Sequence, residues 1–315
     1  IYDEKNRLIY ISFLNKDGYL CWKHTQTFEY CIIKQTYDDN NNIIKYEYLD
    51  PDEKPTNRSG RAITEMIYDN YNRPIERKYY DKDLQLMPGK SFGKAIELFN
   101  YDDNNRLKVL TLLNTDSTFY VSRHYSYDIY GNVLSVEHRD INGKLKIAED
   151  RYNSFVPYAK LIVERDNKGN MLSRCYCDVN DKLANNDDGF AIEKYTYNEY
   201  GQLISDELFD YKGKPVNSII QKWHKATSCY DDKGLIKEVS YFSSNGRYVN
   251  VSTRNANGQC KIEYTYDTRG KVIDVITYVE ENGEAVLETF NDTTITERKT
   301  NGSLVVGQVL MPGIF

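Results

Sequence analysis

Apolar residues return along this chain at a fixed distance behind a polar turn, at Leu8, Ile43, Ile75, Leu107, Val133, Leu172, Leu203, Ile236 and Val272. Each opens a run of about six to eight residues that closes on Leu14, Leu49, Tyr80, Leu113, Cys177, Phe209, Phe242 or Tyr278, with Arg139 as the polar exception. Asn15, Asp50, Asp81, Asn114, Asp140, Asp178 and Asp210 follow directly, and such side chains accept hydrogen bonds from the backbone two residues on. Runs of that length, bounded by turn chemistry at both ends, predict β-strands. Helix is expected to be nearly absent, because no stretch longer than two turns combines 3.6-residue apolar spacing with caps. Only the link Ser218–Thr227 has room for a short helical turn. In Lys271–Tyr278 both parities carry apolar groups, which predicts a sheet with no polar face.

The turn before each run is the organising feature. A Tyr-Asp step recurs with its Tyr at Tyr2, Tyr37, Tyr68, Tyr101, Tyr127, Tyr197, Tyr230 and Tyr266, and Arg165 fills the slot in a degenerate ninth copy. The mean spacing is 33 residues, with single intervals from 26 to 38, the signature of an array of supersecondary units. Four positions after the anchor stand Asn6, Asn41, Asn72, Asn105, Gly131, Gly169, Gly201, Gly234 and Gly270. Asn and Gly together supply only 47 of 315 residues, so their presence in every copy marks a position that requires φ > 0. Each unit then reads as a strand running into Tyr-Asp, a tight turn, an antiparallel return strand and a variable link. The expected fold is all-β: about nine tandem antiparallel hairpins over residues 1–287, forming an elongated, curved or spiralling sheet. Residues 288–315 have lost the anchor and are expected to be an irregular cap or a truncated further repeat.

Composition agrees with this picture. Tyr (29 residues), Asn (29) and Gly (18) dominate, against 7 Pro and 4 Met. A mean hydropathy of -0.68 and the lack of any long apolar run give no membrane-spanning helix. The net charge of -6 without a polybasic tract excludes the electrostatic footprint of a nucleic-acid binder. The chain opens at Ile1-Tyr2 without Met, as a processed or excised segment would.

The repeat unit resembles the YD repeats of the RHS family, most closely in Tyr127-Asp128-Ile129-Tyr130-Gly131-Asn132-Val133-Leu134 and Tyr266-Asp267-Thr268-Arg269-Gly270-Lys271-Val272-Ile273. The resemblance spans about residues 1–285. It implies a strip of β-hairpins used as a shell or an adhesion ectodomain, a bacterial source and an exported or cell-surface location. Two departures are plain: the spacing is longer than the family's, and the Asp-Pro-x-Gly core-end motif is missing.

Candidate chemistry is sparse. Cys21, Cys31, Cys175, Cys177, Cys229 and Cys260 form no metal-type spacing and read as small packing residues. His24, His124, His138 and His224 are scattered, so no catalytic residue, cofactor or metal site is expected. Trp22, Trp223 and His224 are the candidate ligand contacts, and Trp223-His224 is where an active site would have to lie. The expected function is a non-catalytic scaffold offering an extended surface to a protein partner or to further segments of the same polypeptide. The alternative is a carbohydrate-binding module with Tyr and Trp platforms.

Overall fold

The computed structural model describes residues 1–24, 29–56, 61–89, 93–148, 157–252, 256 and 258–288. Its strands are β1 (Tyr10–Ser12), β2 (Lys23–His24), β3 (Glu29–Tyr30), β4 (Ile32–Tyr37), β5 (Ile43–Leu49), β6 (Ile63–Tyr68), β7 (Pro74–Tyr80), β8 (Ile96–Tyr101), β9 (Leu107–Leu113) and β10 (Phe119–Tyr127). They continue as β11 (Val133–Arg139), β12 (Lys160–Arg165), β13 (Met171–Cys177), β14 (Ile192–Tyr197), β15 (Leu203–Phe209), β16 (Lys225–Tyr230), β17 (Ile236–Phe242), β18 (Lys261–Tyr266), β19 (Val272–Glu281) and β20 (Glu284–Leu287). No helix occurs among the described residues, and Ser218–Thr227 holds a turn leading into β16 rather than a helical turn. The chain is therefore all-β, built of tandem antiparallel hairpins.

The array divides into two compact units, Ile1–Ser126 with Val136–Tyr152, and Tyr127–Ser135 with Asn153–Phe315. In the first, β1 pairs with β4 and each strand from β4 to β10 pairs with the next; β2 and β3 form a separate small ribbon. In the second, each strand from β12 to β19 pairs with its successor. Beyond Glu288 the expected cap lies outside the described residues.

Each hairpin turn is closed by the Asp after its anchor, or by Asn198 in the copy anchored at Tyr197. In one copy the Asp69 N–H donates to the Arg73 carbonyl (2.9 Å) and the Asn72 N–H to the Asp69 carbonyl (3.0 Å). Meanwhile Asp69 Oδ1 accepts from the backbone N–H groups of Tyr71 (2.8 Å) and Arg73 (3.0 Å). The nine residues four positions after the anchors have φ between 60 and 90°. A one-residue register shift follows, so that Tyr68 sits opposite Pro74 and Tyr266 opposite Val272. This is the geometry of a three-residue loop with a bulge.

The second turn of each unit needs the same left-handed residue and fills it less carefully. Gly18, Gly143, Gly213 and Gly246 occupy it in four copies, but Glu53 (φ 59°), Leu84 (φ 62°), Ser117 (φ 62°) and Asp181 (φ 59°) occupy it in others. A Cβ in this region costs about 1 kcal/mol or more. Leu84 is 62 % exposed, so its side chain gains little from packing. Leu84→Gly should raise stability by about 1 kcal/mol in urea unfolding; an unchanged or lower midpoint would contradict the strain.

Hairpins join one another by a single register. Residues eight, nine and ten after an anchor pair with residues three, four and five before the next, as in Lys45↔Glu65, Tyr46↔Thr64 and Glu47↔Ile63. Seven junctions follow this rule, including β7–β8 in the first unit and β13–β14 and β17–β18 in the second. The anchor hydroxyl secures the junction. Tyr37, Tyr68, Tyr101, Tyr197, Tyr230 and Tyr266 donate to the carbonyls of Leu8, Ile43, Pro74, Met171, Leu203 and Ile236, at 2.7–3.1 Å. In every case the acceptor lies six residues after the preceding anchor, where the bulge leaves a carbonyl without a ladder partner.

The two faces differ in that only one carries a row of ion pairs, although that face also buries Ile63 opposite Glu47 and Ile96 opposite Lys78. One face carries ion pairs such as Lys45–Glu47 (2.9 Å), Lys225–Glu207 (2.8 Å) and Lys261–Glu263 (2.8 Å). The other buries Leu110, Leu112, Leu161, Val163, Tyr176, Leu208 and Ile262. β19 is atypical because it lies near the end of the second ladder, where Ile273 and Asp274 are exposed.

Candidate functional site

The turns that link the strands place three tyrosines in one slot of the repeat, three residues after the anchor: Tyr71, Tyr130 and Tyr200, at 74, 79 and 80 % exposure. Ile129, beside Tyr130, is also exposed. None of these side chains closes its turn, since Asp or Asn at the second position does so through backbone N–H groups. The Arg73 guanidinium stacks over the Tyr71 ring at 5.0 Å. Asp102, in the same turn position as Asp69, is held below the usual carboxylate range by the Arg106 backbone N–H and, against desolvation, by its guanidinium. The turns of each unit thus present exposed amphipathic rings, Tyr71 in the first and Tyr130 and Tyr200 in the second.

The ligand-contact candidates read from the chain fall in different units. Trp22 is 40 % exposed and belongs to the first unit. Trp223 and His224 belong to the second and are buried, Trp223 at 6.4 Å from the Tyr241 ring. His224 Nδ1 lies 2.7 Å from the Leu208 carbonyl, and its ring meets Phe209 edge-on at 5.4 Å. Packing uses both residues. Cys31, Cys177 and Cys260 are buried, with the Cys260 thiol pushed up to about 11 by burial, and Cys229 is exposed. Among the described residues no group of three His, Cys, Asp or Glu could hold a metal.

Sequence reasoning missed the buried charges. At one junction in each unit the pair that packs Ile11 against Ile33 elsewhere is replaced by Arg opposite Glu: Arg77↔Glu97 and Arg174↔Glu193. Glu97 is fully buried, 3.1 Å from Arg77 Nη1 and accepting the Tyr79 hydroxyl at 3.0 Å. Burial pushes Glu97 up and Tyr79 up to about 12. In the second unit Arg174 donates to Glu193 Oε2 through Nε (2.9 Å) and through Nη2. Tyr195, two residues on from Glu193, pairs with Asp206 on β15. Burial, then the Glu193 charge, drives the Asp206 carboxyl well above its usual range, against the pull of Arg174. A partial signal for these pairs exists in the chain: Arg and Glu stand in slots that several other copies fill with Ile, Leu or Val, as at Ile11, Leu110, Ile33 and Ile262.

A raised Asp206 fixes the sign of a pH effect. Its stabilising contribution is fully present below the unfolded carboxyl pKa of about 3.9 and is lost as pH rises from there through the raised folded value. The unfolding midpoint of the second unit should therefore fall with rising pH, and Asp206→Asn should flatten that fall. Identical pH profiles for both proteins would sink the assignment.

Neither a family model nor a curated protein matches the chain. Among solved structures it is similar to TcdB2-TccC3, at 11 % identity and a TM-score of 0.34, over 91 % of this chain and 16 % of that one. TcdB2-TccC3-Cdc42 is similar at 12 % identity, with the same score and coverage. A porin-like protein from Bacteroides uniformis ATCC 8492 is similar at 8 % identity and a TM-score of 0.30, over 85 % of this chain and 91 % of that one. The chain spans about a sixth of the length of the TcdB2-TccC3 chains it matches. At these scores the likeness adds nothing to the hairpin array already described.

Proposed function

We propose that this chain is a non-catalytic β-hairpin repeat scaffold in which the hairpin turns of the second unit take a protein partner. The observation that carries the reading is the pair of exposed rings at Tyr130 and Tyr200 in the second unit, mounted on turns that close without them. A fold gains nothing by holding large apolar groups in water, whereas tyrosine offers contact area at low side-chain entropy when a partner covers it. Buried Trp223 and His224 support the non-catalytic part, because the link that would have to carry an active site spends them on packing.

The test is site-specific photo-crosslinking in the source cells, with a benzophenone amino acid at position 200 and, as control, at buried position 195. One discrete adduct at 200, abolished when Tyr130 is replaced by Ala, supports the reading. A glycan array then separates the alternative: saturable sugar binding by the unmodified chain, lost when Tyr130 and Tyr200 are both replaced by Ala, would replace the protein partner with a carbohydrate.

A further inference from the structure

The link that joins β15 to β16 carries two large apolar side chains at the tip of a turn, Ile219 at 59 % and Ile220 at 55 % exposure. Nothing in this turn is loose. Asp188, buried in the link between β13 and β14, accepts the Ser218 hydroxyl on Oδ2 (2.7 Å) and the Ile220 N–H on Oδ1 (2.6 Å). Its carbonyl takes the Ile219 N–H (2.9 Å), Ser218 Oγ takes the Gln221 N–H (2.7 Å), and the Ser218 carbonyl takes the Lys222 N–H (3.0 Å). From the other side, the Gln221 carbonyl accepts the Ser252 N–H of the link after β17 (3.2 Å). Every N–H from Ile219 to Lys222 is therefore bonded inside the protein. The corresponding turn of the link after β13, Asn186–Gly189, carries Asp187 and Asp188 at its tip instead. Ile219 rests on the bare Cα of Gly189, where a Cβ would lie 3.2 Å from Ile219 Cδ1.

We propose that Ile219 and Ile220 form a finger that enters the interfacial layer of a phospholipid bilayer, so that the second unit lies on a membrane without spanning it. Hydrocarbon admits a backbone turn only when its donors are bonded internally, and this turn leaves none of its four N–H groups over. The rim has the matching chemistry. Tyr211, in the same link, is half-exposed, its N–H fixed on Asn185 Oδ1 (2.8 Å) and its ring 5.2 Å from Lys212 Nζ. Amphipathic rings and long cationic stems of this kind settle at the boundary between acyl chains and head groups. Lys212, Lys214 and Lys222 are exposed and join no ion pair among the described residues, against one exposed carboxylate on the facing loop, Asp187. Their charge fits anionic head groups. Because the whole chain carries a net charge of -6, the apolar tip supplies the larger share of the binding. A protein partner would be gripped by aromatic and arginine side chains rather than by a bare aliphatic tip. The finger lies beyond the opposite end of β15 from Tyr200, and it stands even if the tyrosine turns take no partner.

The probe is a vesicle of equal parts phosphatidylcholine and phosphatidylglycerol, sedimented with the full chain. Saturable binding is expected, half-maximal at roughly 0.1–10 mM lipid, the range of a single short apolar anchor. Ile219→Ser combined with Ile220→Ser should weaken it at least about tenfold. The urea midpoint of that variant should not move, because both side chains are exposed. Ile273→Ser, at another exposed position of the second unit, should leave vesicle binding as it was. If the double variant fails to fold, a benzophenone amino acid at position 220, irradiated in the source cells, still decides, and a lipid adduct supports the proposal. No sedimentation below about 10 mM lipid, equal sedimentation by the double variant, or an adduct at 220 to a protein or to another segment of this chain would each overturn it.

Discussion

Arg174→Met is expected to destabilise the second unit by about 3–5 kcal/mol at pH 7 in urea unfolding. Arg174 and Glu193 are both more than nine-tenths buried and joined by two hydrogen bonds from one guanidinium. Replacing the cation by an apolar side chain of similar length keeps the volume and removes the charge. Glu193 is then left in a low-dielectric place beside Asp206, whose carboxyl already resists ionisation. The full desolvation cost of an unpaired carboxylate appears, and it exceeds the modest net value of the intact pair. The control is Arg174→Met with Glu193→Gln, which removes both charges together and should recover most of the loss. Equal destabilisation by the single and double variants would show that Arg174 matters for packing rather than for its charge.

The second large effect is expected in the first unit. Gly89→Ala should cost about 2–3 kcal/mol, because an added Cβ would lie 2.2 Å from Cε2 and 2.4 Å from Cδ2 of Tyr79. Escape is blocked on both sides. The Tyr79 ring is 2 % exposed, its hydroxyl is fixed on Glu97 at 3.0 Å, and the Arg61 guanidinium lies 5.3 Å from its centroid. Gly89 itself is tied into its link by the Lys94 carbonyl at 2.9 Å, so the backbone has little room to retreat. Gly18→Ala is the comparison, since that site is left-handed (φ 84°) with nothing within 4 Å of a Cβ, and only the backbone cost of about 1 kcal/mol applies. A loss at Gly89 no greater than that at Gly18 would show that Tyr79 moves aside.

Both effects lie at positions the repeat pattern passes over. A period is found by what recurs, and Arg174, Glu193 and Gly89 are departures from what recurs. Glu193 stands where other copies carry Ile33, Leu161 or Ile262, so a polar residue in an apolar slot is the one mark it leaves in the chain. Its partner cannot be named without register. Pairing four residues before one anchor with nine after the previous one is a tertiary fact, set by the bulge that shifts each hairpin by one residue.

The repeat unit itself is legible from the residues alone. Tyr-Asp followed by Asn or Gly at the fourth position forces a turn, because few other residues enter φ > 0 at low cost and an Asp carboxylate satisfies the N–H groups that the turn leaves over. Strand length and the all-β class follow from the apolar runs between turns. Which face is buried emerges only on folding, since β19, the strand from which two apolar faces were read, is exposed at Ile273 and Asp274. The same holds for the anchor tyrosines, which are junction bolts rather than platforms: a hydroxyl donating 25–30 residues back, to a carbonyl orphaned by a bulge, depends on long-range register. Local chemistry writes turns into a sequence because four adjacent residues settle them. Burial and pairing are settled by residues far apart, and only the folded chain brings those together.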